Sequence, residues 1–150
     1  MMTSSDPTFW DGVMPAAKTD YAFGGGDGSE LDPYLISTAA DLAQLAANVA
    51  KGTTYSGTYF EMTANITLNE NLLTADGELN ISGTFHPWTP IGISDTLHFA
   101  GNFDGNDYTV GGIYIDKETS SYQGLFGNVG NGTIKNIGVV DSYIKGSSFV

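Results

Sequence analysis

His86 and His98 are the two histidines of the 150-residue chain, and neither falls in a His-x-x-x-His or His-Glu-x-x-His pattern. Zinc peptidase chemistry needs that spacing to put two ligands on one helical face, so it has no seat here. No Gly-x-Ser-x-Gly elbow marks a serine nucleophile. There is no cysteine, hence no thiolate, zinc-thiolate or disulfide chemistry. Both histidines therefore read as surface or packing residues. The carboxylates are the richer set. Glycoside hydrolysis needs two acids a fixed span apart, and Asp104 with Asp107, or Asp116 with Asp141, supply such pairs. Asp also favours turns, because its side chain bonds nearby amides, and turn duty is the stronger reading for all four. Asn102, Asp104, Asn106 and Asp107 bring together oxygens of the kind calcium takes about six to eight of. Their spacing fits neither an EF-hand loop nor a nonapeptide repeat. No catalytic, metal-binding or cofactor-binding residue is assigned, and no cofactor is expected.

Charge narrows the partners. Seventeen acidic residues face five lysines (Lys18, Lys51, Lys117, Lys135 and Lys145) and no arginine, for a net charge of −12. Phosphate neutralisation needs a basic face, so nucleic acid is not a partner. Anionic membranes and acidic polysaccharides are repelled on the same ground. A lyase working beside a sugar carboxylate would want a cationic clamp that this chain lacks. No apolar run approaches the roughly 20 residues that cross a bilayer, so membrane insertion is not expected. The start, Met1-Met2-Thr3-Ser4-Ser5-Asp6, has no basic and apolar leader pattern.

The elements that would position these groups are mostly short strands. Residues 1–30 form an irregular segment whose Phe9-Trp10 and Tyr21-Ala22-Phe23 are apolar enough to pack on the domain that follows over residues 31–150. Pro33 precedes a short strand, Tyr34-Leu35-Ile36. A helix is predicted over residues 38–51. Thr38 and Asp41 make a capping box, Leu42, Leu45, Ala46 and Val49 recur at helical spacing, and Gly52 ends it. Residues 57–68 alternate, with Phe60, Met62, Ile66 and Leu68 pointing inward. Residues 69–84 make a polar excursion, and Gly105 supplies a positive φ in the turn that follows. Most informative is a repeat: Val110, Ile113 and Ile115 recur as Ile134, Ile137 and Val139, each 24 residues on. Spacing of i, i+3, i+5 fits two strands meeting at a corner, placed at Gly111-Gly112 and Lys135-Asn136. Stacked windings are the expected result. Outward threonines that would bind ice do not form regular columns, since Tyr114 and Gly138 interrupt Thr109 and Thr133.

The order of landmarks extends this reading. Trp10-Asp11-Gly12, Asp32-Pro33-Tyr34-Leu35-Ile36-Ser37-Thr38, Tyr59-Phe60, Trp88-Thr89-Pro90-Ile91-Gly92, Phe103-Asp104-Gly105-Asn106 and Gly124-Leu125-Phe126-Gly127 follow one another along nearly the whole chain. The chain thereby resembles the GLUG-repeat regions of bacterial adhesin-like surface proteins, found also in the non-catalytic part of IgA-cleaving metallopeptidases. Asp107 departs from the pattern, which usually has a second glycine there. The resemblance implies a mainly β fold, a short right-handed parallel β-helix (β-solenoid), and the apolar stripe of the N-terminal helix is suited to cap its first coil. It implies an extracellular or cell-surface module, with more coils expected beyond residue 150 in a longer parent, and the lack of an assigned site makes a non-enzymatic role the expectation. Its partner would be a protein or glycan ligand, or another copy bound head to tail as a homo-oligomer. The alternative is a fragment of a carbohydrate-active β-helix enzyme using paired carboxylates.

Overall fold

The computed structural model describes residues 6–150, so the leader reading of the first residues lies largely outside it. The order is β1 (Tyr34–Ile36), α1 (Ala39–Ala50), β2 (Tyr59–Met62), β3 (Ile66–Thr67), β4 (Asn102–Asp104), β5 (Thr109–Gly111), β6 (Tyr114–Asp116), β7 (Thr133–Lys135), β8 (Gly138–Val140) and β9 (Tyr143–Lys145). The protein is mainly strands with one short helix. Three sheets run β1-β2-β4-β7, β3-β5-β8 and β6-β9, and every strand pair is parallel. Parallel neighbours cannot be joined by a tight hairpin. The chain instead visits each sheet in turn and comes back one strand further on.

In-register columns give the fold its core. Phe60 pairs with Phe103 and Phe103 with Ile134. Ile66 pairs with Val110 and Val110 with Val139, and Ile115 lies beside Ile144. Phe60, Met62, Ile66 and Leu68 are all buried, as their alternation predicts. Residues between the strands turn through the left-handed region at Asn106, Asp107, Gly112, Asn136 and Asp141. Asn, Asp and Gly tolerate that conformation best.

The 24-residue register is corrected by this pairing. Val110 lies beside Val139 and Ile115 beside Ile144, each 29 residues on, while Ile134 stacks on Phe103. The repeat aligned one corner of a winding with the next corner. Both are a short strand, a left-handed residue and a buried-side Ile, so their letters match although their positions do not. The corners also sit one residue later than expected, at Gly112-Ile113 and Asn136-Ile137. Gly105 is not at positive φ; Asn106 and Asp107 are, at 52° and 65°. Gly105 answers to space, since a Cβ there would lie 2.5 Å from the Asn136 carbonyl oxygen.

Helix α1 carries the expected capping box, the Thr38 hydroxyl accepting from the Asp41 amide at 3.0 Å. Leu42, Leu45, Ala46 and Val49 are fully buried in the common core with Ile36 and Met62. The opposite face is covered as well. Gln44 Nε2 donates to the Ala16 carbonyl and Asn48 Nδ2 to the Lys18 carbonyl, both at 2.9 Å. The Tyr21 hydroxyl donates to Asp41. The irregular N-terminal segment thus straps the helix down.

Candidate functional site

Two of the landmark segments, residues 88–92 and 124–127, lie on one another. Ile91 pairs in parallel with Phe126, and the Ile91 amide donates to the Leu125 carbonyl while the Gly127 amide donates to Ile91, both at 2.9 Å. A Cβ on Gly127 would come within 2.3 Å of the Gly92 and Tyr122 carbonyl oxygens. Trp88 is buried and donates from Nε1 to the Leu125 carbonyl at 3.3 Å. These glycines and aromatics hold the two segments together.

The histidines are placed similarly. His86 meets the Trp10 ring edge-on at 5.9 Å, and its backbone amide donates to Asn69 Oδ1 at 2.7 Å. His98 Nδ1 donates to the Asp95 carbonyl at 2.8 Å. Among the described residues, no group of three or more His, Asp or Glu side chains could hold a metal ion.

Asp104 Oδ1 accepts from the Asn106 amide at 2.8 Å and from Asn136 Nδ2 at 3.1 Å, while Oδ2 lies 4.0 Å from Lys135 Nζ. That is turn duty extended to the next winding. Asp107 is itself a left-handed corner residue. Asp116 pairs in register with Lys145, whereas Asp141 turns the corner before β9. Thr109 and Thr133 stand on different sheets.

Two grooves flank the sheets. One, about 380 Å³, lies outside β2, β4 and β7, and Glu30, Glu61, Asp104 and Lys135 line it. Glu61 is the in-register neighbour of Asp104 there. The other, about 630 Å³, is a trough between residues 69–80 and the outer face of β3, β5 and β8, with Glu70, Asn71, Asn65, Thr109 and Asp141 on its sides. Neither groove contains both members of either expected acid pair. Glu61, Glu70 and Asn71 carry no motif signal. Only the strand register, masked by windings of unequal length, brings them to a groove.

The two ends of the sheets differ. The outer edge of β1 is engaged by Gly24 and Gly25, and that of β3 by residues 8–10. At the far end Val139 and Val140 are 47% and 42% exposed, and Phe149 is 68% exposed. A head-to-tail contact by strand addition therefore meets no receiving edge on β1 or β3.

No protein-family model matches the chain, and no solved structure matches it. Among curated proteins it is similar to one from Evansella cellulosilytica named as a Gly-rich membrane protein, 32% identical over 123 residues. It is also similar to halomucin of Haloquadratum walsbyi, 29% identical over 126 residues. These matches take in 81% and 83% of this chain but only 12% and 1% of the respective relatives. The chain thus corresponds to a small part of each. No helix among the described residues is long and apolar enough to cross a membrane.

Proposed function

We propose that the chain is a short right-handed parallel β-helix with α1 as its cap, of the GLUG-repeat kind, serving as a non-enzymatic module of a surface-associated protein. The one observation that carries this reading is the parallel, in-register return of every strand, with Phe60, Phe103 and Ile134 in one inward column. Repeated windings make a stiff spacer whose outer faces present side chains at intervals of about 4.8 Å. The names of the two relatives support a surface location. The engagement of Asp104 with its own turn and with Asn136 supports a non-catalytic role. Its partners are a protein or glycan at the surface, or a second copy. Because β1 and β3 have covered edges, self-association does not add a strand there. Sedimentation of the purified chain should show self-association that Val139→Asp disperses, Val139 being 47% exposed; a monomer at high concentration contradicts this part.

The enzymatic alternative draws on Glu61 and Asp104, two outward acids on neighbouring strands of one groove. One assay separates the readings. Beads carrying the chain should be retained on polysaccharide- or protein-coated surfaces while no reducing ends are released from polysaccharide in solution. Release of reducing ends that is lost in Glu61→Gln would overturn the non-enzymatic reading.

A further inference from the structure

The trough outside β3, β5 and β8 is the larger of the two grooves flanking the sheets, and its walls are held firmly. Leu72 is buried at its base, Asn69 Nδ2 donates to the His86 and Gly112 carbonyls at 2.9 Å each, and Leu73 bridges Leu79 in a small antiparallel turn. We propose that this trough binds a segment of neutral polysaccharide. The inference rests on reading the chain as a surface module and names the ligand class of one face.

Size is the first argument. A trough of about 630 Å³ lies in the range of small-molecule sites, roughly 300–1,000 Å³. It runs from Phe9 across β3, β5 and β8. At about 4.8 Å per strand that is a run of roughly 14 Å, suited to an oligosaccharide lying along the stack.

Chemistry is the second. Asn65 Oδ1 is held by the Thr109 amide at 2.9 Å and faces the Thr109 hydroxyl at 3.3 Å, which leaves Nδ2 to donate. Asn71 adds an amide, and Glu70 and Asp141 add acceptors for ligand hydroxyls. Phe9 supplies a half-buried ring at one end on which a sugar ring can stack. No lysine lines the trough, and the whole chain is strongly acidic, so anionic sugars and phosphates are disfavoured. Neutral amides and hydroxyls outnumber the two carboxylates, which favours a polyol over a basic peptide.

The test is affinity electrophoresis of the full chain through gels holding galactomannan, hydroxyethylcellulose or dextran, with polygalacturonate and an oligolysine peptide as competitors. At least one neutral polymer should retard the wild-type chain, with neither competitor abolishing the effect. Glu70→Gln, Asn71→Gly and Phe9→Ala should each weaken retardation about tenfold, the value of one good contact. Glycine suits the positive φ of 56° at Asn71, and thermal melts of each variant check the fold. The proposal is overturned if no neutral polymer retards the chain, if either competitor displaces it, or if binding is indifferent to all three substitutions. Those results leave the non-enzymatic reading standing, whereas cleavage of the polymer would overturn that reading and not the site.

Discussion

At the scale of single residues, Asp41 does more than cap a helix. Its carboxylate accepts from the Ser37 and Thr38 amides and from the Tyr21 hydroxyl, tying strand, helix and N-terminal strap together. Burial, helped by that hydrogen bond and the neighbouring charge, pushes the Tyr21 phenol up from 10.0 to about 12. Between those values the unfolded chain has released a proton that the folded chain keeps. Tyr21 therefore stabilises the fold fully below about pH 10, and the contribution is lost as pH rises towards 12. Urea unfolding from pH 9 to 12 should show a steeper decline for wild type than for Tyr21→Phe; parallel curves would refute the linkage. Close packing makes a second residue-scale prediction. Gly127→Ala places a methyl against the Gly92 and Tyr122 carbonyl oxygens, both backbone and unable to swing aside. It should destabilise by about 1–3 kcal/mol, read as a lower urea midpoint with an unchanged slope.

At the scale of elements, an inward aromatic column ties neighbouring strands together. Phe60 and Phe103 are stacked at 6.4 Å, Phe103 meets Phe126 at 5.2 Å, and both Phe60 and Phe103 are buried. Phe103→Ala should cost about 3–5 kcal/mol. Thr38→Ala, which removes only the helix cap, should cost about 1 kcal/mol. If chemical denaturation ranks them in the opposite order, the helix and not the column dominates the core. The helix was legible from sequence to within a residue, because a capping box and a four-residue stripe are local signals. Phe60, Met62, Ile66 and Leu68 were legible for the same reason. The register was not. Three-residue strands joined by alike left-handed corners repeat from corner to corner as well as from winding to winding, so Ile134 was matched to Val110 and not to Phe103. Neither groove could be read for that reason: Glu61 reaches Asp104, and Asn65 reaches Thr109, only once windings of unequal length are laid in register.

At the scale of the molecule, the first and last strands of the chain are covered differently. The strap, α1 and the backbone pairs at Leu35 and Thr67 leave no free edge on β1 or β3, while Val139, which follows Ile66 and Val110 in their column, is half exposed. The absence of cysteine makes the underlying stacking directly measurable. Thr109 and Gly138 are in-register neighbours on β5 and β8, and a Cβ on Gly138 would lie 3.1 Å from Thr109 Cγ2. Parallel neighbours at that spacing suit a disulfide, whose Cα atoms lie about 4.4–6.8 Å apart. The double variant Thr109→Cys/Gly138→Cys should oxidise completely within one chain and keep its circular dichroism. Thr109→Cys/Thr133→Cys, the pair that the 24-residue repeat would align, should stay reduced under the same conditions. Closure of the second pair with failure of the first would contradict the winding register on which the fold, the grooves and the proposed function all depend.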